Sequence, residues 1–318
     1  QRQMCIRDRY IIMKFMENTK INFMKFKTIG FGLSSAMAFG SVLLLLMGIN
    51  LGIDFKGGTA IGVSFSEDIL IEEVRSTLKT VSVNDTNFDL SAEEVRYFGS
   101  NSDVMIKIKT IENEPDNFGQ LVINHLYSSL NGKVPENKND FILSLGSVSP
   151  KVGSELSGKA LWSVISALVL ILFYISVRFE FRFALGAILA LVHDVIITLG
   201  IFSLTGFEIT LSTVAAFLTI VGYSLNDTIV ILDRIRENMK SSGTVMFEST
   251  INKSINQSLS RTLITSLTTL LVIIVLLIYG GEVIRPFSFT MLVGVIIGTY
   301  SSIYIASALL ATIYQNSK

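Results

Sequence analysis

The sequence has almost none of the residues that build disulfides, metal sites or hydrolytic active sites. Its 318 residues include one cysteine, Cys5, and two histidines. An internal disulfide is therefore impossible, and neither the spacing of a metal site nor a nucleophile–base set is present. Prolines number four and the net charge is zero, so there is no low-complexity linker and no charge argument for nucleic acid as a partner. We expect no enzyme and no cofactor.

Charged side chains are also scarce, and apolar ones take their place. Charged residues make up 16% of the chain, against about 25% in soluble domains. Hydrophobic residues make up 50%, and the mean hydropathy is +0.55. A membrane-spanning helix needs about 20 mostly apolar residues, and six stretches meet that requirement: 28–49, 160–179, 183–204, 209–232, 262–279 and 287–314. The sequence predicts an α-helical polytopic membrane protein with six transmembrane helices.

Lysine and arginine are concentrated in alternate short loops, which are the cytoplasmic ones by the positive-inside rule. Segment 1–27 and the tail 315–318 are then cytoplasmic, and segment 50–159 forms a soluble domain on the outer face. The remaining five helices form a transmembrane domain over 160–314. The first 12 residues resemble nothing downstream, so we expect them to be non-native, with Met13 as the natural start.

The soluble segment alternates between strand-like and helix-like patterns. Short alternating runs favour strands, and helical spacing with acids early and bases late favours a helix. The order βαββαβ predicts a small ferredoxin-like α+β domain. Its strands are predicted at 58–66, 93–99, 103–110 and 140–150, and its helices at 67–81 and 116–132.

Span four contains a carboxylate, Asp227, within VGYSLNDTIVILDRIREN, with Asn226 beside it. An ionisable residue in a span costs about 2.5–3.5 kcal/mol on insertion scales, and it usually faces other helices or a wet cavity. Tyr223 and Ser224 lie near the same helical stripe. The pattern allows a proton site, and it also allows a polar contact that only sets the helix register.

Arg261 begins span five, and it retains its proton in practice. Close to Asp227, the charge of Arg261 would favour the ionised form of the carboxylate. If Arg261 moved away, the ionised form would lose this stabilisation. Thr265 and Thr268 recur on the same face of the span. The alternative interpretation of Arg261 is a snorkelling side chain at the membrane edge that only sets the topology.

Span three contains His193 and Asp194 near its middle. Asp194 follows Gly186 and Ala190 at a spacing of four, so it lies on a small-residue face that is typical of helix packing. A proton relay through His193 and a structural hydrogen-bonded pair both stay open. In span six, a row of small residues predicts packing rather than chemistry: Gly294, Gly298, Ser302 and Ala306.

Two segments join the soluble domain to the spans, and both contain hinge candidates. Gly57 and Gly58 follow span one, where glycines suit a sharp turn into the first strand. Pro150 and Gly153 lie in the return segment 146–160.

Four motifs in order resemble the SecF family of bacterial protein-export membrane subunits, within the resistance–nodulation–division superfamily. They are GIDFKGGT, the block 190–238 around GYSLND, RTLITSLTTLL and GTYSSIYIA. The resemblance covers nearly the whole chain from span one onward. It departs from the family at Ser149, which stands before Pro150 where the family usually has glycine, and this weakens the hinge prediction there.

The resemblance implies proton-driven assistance to preprotein export in the bacterial cytoplasmic (inner) membrane. The implied partners are SecD, the SecYEG channel after SecA-driven translocation, translocating preproteins, the lipid bilayer and, as a further candidate, YajC. The acid of the GYSxND motif falls on Asp227 and the arginine of RTLxTS on Arg261, which assigns both to the proton path. Asn226, Asp194 and His193 complete the candidate coupling set, and sodium stays open as the coupling ion.

Two other functions stay open on the sequence. A stand-alone proton-driven exporter of small molecules or lipids would act without SecD, although the small soluble domain shows no obvious apolar substrate cleft. A structural assembly factor would use Asp227 only for packing.

Overall fold

The computed structural model describes residues 19–83, 86–111, 115, 117–178, 181–242 and 247–315, so the predicted non-native segment 1–12 lies outside the described residues. The chain divides into two compact units. The helical unit takes in Gln1–Asn50, Val164–Phe207 and Ser212–Lys318, and the sheet unit takes in Leu51–Ser163 and Glu208–Leu211.

The elements follow one another in this chain order. A 3-10 turn Phe23–Phe26 precedes α1 Lys27–Leu46, α2 Ile53–Lys56, β1 Gly58–Ser64, α3 Ile71–Leu78, β2 Val81–Val83, β3 Thr86–Phe88, β4 Glu94–Phe98, β5 Ser100–Ile108, α4 Phe118–Ser129, α5 Lys138–Phe141 and β6 Ile142–Val148. Then come α6 Pro150–Arg178, α7 Phe181–Leu204, α8 Leu211–Ser242, α9 Phe247–Tyr279, α10 Gly281–Ser301, a π-helical turn Ser302–Ala306 and α11 Ser307–Gln315.

Six helical stretches are long and apolar enough to cross a membrane, as the sequence predicts, and the chain is a multi-pass membrane protein. They are Phe23–Leu46, Pro150–Arg178, Phe183–Leu204, Leu211–Lys240, Phe247–Tyr279 and Gly281–Ile313. The second begins at Pro150 instead of residue 160, so most of the predicted return segment is helical. A hydropathy count overlooks residues 150–159 because they contain no long apolar run, whereas proline at the first helical position favours the helix.

The connection before span five also differs from the prediction. The amphipathic pattern of 241–261 favours a separate short helix on the membrane surface, whereas in the structure residues 247–261 form the first part of α9, which continues without interruption to Tyr279. No glycine or proline interrupts these residues. Ile251, Ile255 and Leu259 recur every four residues and are buried in the main helical core, so this polar-looking segment has an apolar face that holds it in the helix.

Glycines let the helices of the membrane unit approach closely, as the row of small residues in span six predicts. A Cβ at Gly294 would collide with the side chain of Ile220 on α8. A Cβ at Gly298 would lie 3.0 Å from the Cβ of Ser224, also on α8. The interface between α8 and α10 is therefore shaped by the absence of side chains at two positions of α10.

The sheet unit contains a four-stranded sheet in the order β4-β5-β1-β6, and every neighbouring pair is antiparallel. In the central pair, Ile61 lies opposite Ile106. Both are fully buried, together with Phe118 of α4 and Phe141 of α5. All four predicted strands are present, with ends shifted by a few residues.

A second, two-stranded sheet of β2 and β3 is absent from the sequence prediction. Val81 pairs with Phe88 in its register. Each of its strands has three residues, which is too short for alternation of apolar and polar residues to indicate a strand.

Candidate functional site

Asp227 is buried in the middle of the helical unit, with 4% of its surface exposed. The Ser266 hydroxyl on α9 donates a hydrogen bond of 3.2 Å to its Oδ2 atom. The Thr265 hydroxyl lies 3.5 Å from Oδ1, although it bonds more closely to the Arg261 carbonyl oxygen at 3.0 Å. The carboxylate is therefore held across α8 and α9 by hydroxyl groups.

The contacts of Asp227 extend to a third helix through Ser266. The Ser266 and Thr299 hydroxyls form a hydrogen bond of 2.7 Å, in which either oxygen can donate. Thr299 lies on α10, and its hydroxyl is also 2.7 Å from the Val295 carbonyl oxygen, so its single proton goes either to that carbonyl or to Ser266. Hydroxyl groups both donate and accept hydrogen bonds. The hydrogen-bonded chain Asp227–Ser266–Thr299 is therefore able to pass a proton from one of these side chains to the next.

Arg261 lies one helical turn before Thr265 on α9, at an exposed position of this chain. Its charge acts on the Asp227 carboxylate, but the two side chains form no ion pair among the described residues. The structure therefore brings the predicted partners into electrostatic range without direct contact. In this arrangement, a small shift of α9 against α8 changes the field that Asp227 experiences.

Asp194 on α7 is the second buried carboxylate, and none of its surface is exposed. Its Oδ2 accepts a hydrogen bond of 2.5 Å from the Ser224 hydroxyl on α8, and its Oδ1 lies 2.9 Å from His193 Nδ1. The Ser301 hydroxyl is also close to it, without reaching hydrogen-bond geometry. Ser224 precedes Asp227 by three residues, so one face of α8 serves both acids.

The four predicted hinge residues converge within the sheet unit. Gly57 and Gly58 have φ of 79° and 134°, values that favour glycine. A Cβ at Gly57 would lie 2.9 Å from the Pro150 backbone, and one at Gly153 would lie 2.8 Å from the Phe55 carbonyl oxygen. The chain entering β1 and the start of α6 therefore pass each other backbone to backbone, and the absence of side chains makes this possible.

Comparisons with known proteins agree with this arrangement of helices and sheet. Residues 131–316 match the family "Protein export membrane protein SecD/SecF, C-terminal", and residues 42–69 match the SecD/SecF GG motif. A protein translocase subunit SecF of Rhodobacter capsulatus is 41% identical over 299 residues, covering 91% of this chain and 88% of the relative. The chain belongs to the SecF family.

Two further relatives support membership of the SecF family. The protein translocase subunit SecF of Magnetococcus marinus is 45% identical over 278 residues, covering 87% of this chain and 86% of the relative. The crystal structure of SecDF from Thermus thermophilus, a translocon-associated membrane protein, is 36% identical with a TM-score of 0.79. That match covers 94% of this chain and 39% of the SecDF chain.

Asn226 differs in position from the other candidate residues of this SecF-family chain. It is exposed although Asp227 beside it is buried, because successive residues of an α-helix point about 100° apart. The structure brings together Asp227, its hydroxyl partners and, one turn earlier, the Ser224–Asp194–His193 group. It does not bring Asn226 into either set of contacts.

Sequence reasoning missed Ser266, Thr299 and Ser301 as neighbours of the two acids. The available signal was a hydroxyl side chain within an apolar span, and this signal is weak because serine and threonine also bond their own helix backbone. Thr268, which shares the predicted face with Thr265, does just that: its hydroxyl bonds to the backbone of Ile264 and Thr265.

Proposed function

We propose that this SecF-family chain is an accessory subunit of the Sec protein translocation machinery. In this proposal, the proton-motive force drives it to assist preprotein export after SecA-driven translocation. The observation that carries the proposal is the buried Asp227, which is held by Ser266 across α8 and α9 in a chain whose relatives are named protein translocase subunit SecF. Buried ionisable residues of this kind mark ion pathways in membrane proteins.

Protonation of Asp227 is the proposed driving step. It would remove the negative charge to which Ser266 donates and on which Arg261 acts. Moving one charge down about 100 mV yields about 2.3 kcal/mol, which is enough to shift a two-state equilibrium whose states differ by a few kcal/mol. Helices α8 and α9 would then change their relative position with each protonation cycle.

Asp194 and His193 are a proposed second part of the proton path. The Ser224 hydroxyl bonds to Asp194 at 2.5 Å and lies on the same face of α8 as Asp227. A proton that leaves Asp227 would thereby have a neighbouring acceptor group within one helical turn. Asn226 has weaker support as a coupling residue because it is exposed and outside these contacts.

The proposed partners follow from the comparisons. SecD is the first, because residues 131–316 match a family model named for SecD and SecF together and the solved relative is SecDF. The SecYEG channel, translocating preproteins and YajC are further proposed partners. The basic loops support a bacterial cytoplasmic (inner) membrane location with both termini cytoplasmic and the sheet unit on the outer face.

We also propose that the sheet unit has the ferredoxin-like βαββαβ arrangement. Its four-stranded sheet order β4-β5-β1-β6, with antiparallel neighbours throughout, supports this fold, and the β2–β3 hairpin would be an addition to it. Its proposed hinges are the close backbone crossings at Gly57, Gly58, Pro150 and Gly153.

The substitution Asp227→Asn tests the proposal, because it keeps the shape of the side chain and removes the charge. The chain would be expressed in cells that lack their own SecF, with SecD and the channel present. Export driven by the proton gradient should fall by about 100-fold, the lower end for loss of a positioned proton-transfer group. Membrane levels and SecD association should be unchanged.

Asp233→Asn is the matched control, since Asp233 lies on the same helix but is only half-buried. It should leave export intact. Full export by Asp227→Asn would mean that the carboxylate is only a packing contact, and it would overturn the proton-coupling role. Loss of SecD association in Asp227→Asn would favour a structural assembly factor instead.

A further inference from the structure

Four residues at the junction of α7 and α8, Glu208–Leu211, belong to the sheet unit, although they connect two membrane helices. The Gly52 amide donates a hydrogen bond of 2.9 Å to the Ile209 carbonyl oxygen. Leu51 and Ile209 form a parallel β-bridge. The segment Glu208–Leu211, called the anchor segment below, thus pairs through its backbone with the chain that leads into α2.

An ion pair joins the anchor segment to the main sheet. Lys107 Nζ lies 2.5 Å from Glu208 Oε2, and the two side chains are 15% and 21% exposed. Lys107 is on β5, where it lies opposite Ala60 of β1 and Glu94 of β4. A partly buried pair is screened less by salt than a surface pair, so this contact holds the anchor segment to β5, a strand that is paired on both sides.

A second carboxylate holds the first residue of α8. Asp54 Oδ2 accepts a hydrogen bond of 2.8 Å from the Leu211 amide. An acid at this place satisfies one of the free amides at a helix start and interacts favourably with the helix dipole. There is little room for movement here, because a Cβ at Gly52 would lie within 3.1–3.3 Å of atoms of Glu208, Ile209 and Thr210.

Helix α8 extends from this anchored start to the proposed proton site. Leu211 and Asp227 are both on α8, which is continuous from Leu211 to Ser242. The rise of an α-helix places the two residues about 24 Å apart along its axis. A continuous helix transmits an axial displacement from one end to the other, which a flexible loop does not.

We infer that Asp54, Lys107 and Glu208 are positioning residues that transmit displacement of α8 to the sheet unit. The inference rests on the proposed function, in which protonation of Asp227 moves α8 against α9. The anchor segment makes the start of α8 part of the sheet unit, so a shift of the helix is passed to β1 and β5. Without the anchor, protons would still cross but would no longer move the sheet unit.

A charge-reversal series tests this inference. The full chain would be reconstituted with SecD and the channel in vesicles, as wild type, Lys107→Glu, Glu208→Lys and the double variant. Proton flux, read with a pH-sensitive dye, and preprotein export would be measured on the same vesicles. Each single reversal should lower export at least about fivefold, as expected for loss of a typical coupling between sites, with proton flux retained. The double variant should restore export.

Lys133→Glu and Glu73→Lys are the matched controls, because their ion pair of 2.7 Å lies within the sheet unit and away from the anchor segment. They should leave export and flux unchanged. Hydrogen exchange at the Gly52 and Leu211 amides reports the contact directly. It should rise in each single reversal and return to the wild-type rate in the double variant.

Three results would overturn the inference: unchanged export in both single reversals, loss of flux together with export, or failure of the double variant to restore export when exchange is restored. The proposed function fails by a different result, namely full flux and export by Asp227→Asn. A variant that only misfolds would lose flux and SecD association together. Asp54→Ala then provides an independent version of the test, because alanine cannot accept the hydrogen bond from the Leu211 amide. It should show the same loss of export with flux retained.

Discussion

The interiors of the two units are built from different side chains. In the sheet unit, Thr59 is the only buried polar residue of the described part, and the core is made of residues such as Ile61, Val104, Phe118 and Phe141. The helical unit buries many polar side chains, among them the carboxylates of Asp194 and Asp227. One interior resembles that of a small water-soluble domain, whereas the other carries polar groups through a span.

The two units also differ in how well these polar groups are satisfied. Within the described residues, several buried hydroxyls have no hydrogen-bond partner, and all of them lie in the helical unit: Thr198, Tyr223, Thr228, Thr262, Ser288 and Ser301. A buried polar group without a partner costs about 1–3 kcal/mol. In the part of the chain that the structure describes, the helical interior therefore carries a cost of unpaired buried hydroxyls that the sheet interior avoids.

Removing a large side chain from the sheet core should produce the largest change in stability. Phe141 is fully buried and packs edge to face against Phe65 and Tyr127. Phe141→Ala should destabilise the sheet unit by about 3–5 kcal/mol, because both transfer energy and packing are lost. Hydrogen exchange of β1 and β5 in the full chain measures this loss.

The matched control for the sheet core is Leu70→Ala, since Leu70 is 70% exposed. It should change stability by no more than about 0.5 kcal/mol. Exchange rates in α7 and α8 should stay unchanged in Phe141→Ala. An equal rise in both units would mean that the two interiors unfold together, and the comparison would lose its basis.

Removing a hydroxyl from the helical interior should change function more than stability. Ser266→Ala deletes the donor to Asp227 Oδ2 and the link to Thr299. Hydrogen bonds to charged groups contribute about 1.5–3 kcal/mol, so proton flux should fall by about tenfold or more. Thr268→Ala, on the same helix, removes only bonds to its own backbone and should leave the flux as it is.

Adding a methyl group between two helices should have an intermediate effect. Gly294 faces the Ile220 side chain with no room for a Cβ, so Gly294→Ala should destabilise the helical unit by about 1–3 kcal/mol through overpacking. Ile220→Val in the same chain should recover part of this loss. Gly222→Ala is the control, because nothing lies within 4 Å of a Cβ there. Thermal unfolding in detergent distinguishes the variants.

The smallest effect is expected at the ion pair between Lys133 and Glu73 in the sheet unit. The hydrogen bond to Glu73 raises the pKa of Lys133 above its ordinary value of 10.5. The pair therefore stabilises the fold at pH values below the ordinary pKa of lysine. This contribution is lost as the pH rises through the raised pKa of Lys133. Lys133→Gln should be slightly less stable than wild type at pH 7, with the difference vanishing at strongly alkaline pH. A difference that grows with pH would show that the pair is not its cause.

The spans and the acids were predictable because each has a strong local signal. Six long apolar stretches follow from the thickness of a bilayer, and a carboxylate such as Asp227 is conspicuous within one of them. The first ten residues of α6 were missed, and the early part of α9 was predicted as a separate helix, since a hydropathy rule cannot recognise a helix whose end lies outside the apolar stretch. The β2–β3 hairpin was missed because its strands are too short to alternate.

The sequence by itself determined the number of spans, the four main strands and the position of the charged group within the membrane, because each depends on neighbours along the chain. Only the tertiary structure decided that Ser266 and Ser224 meet the two carboxylates. It also decided that Lys107 meets Glu208 across 101 residues. Contacts between residues so far apart depend on how helices and strands pack, and no local pattern of apolar and polar residues contains that information.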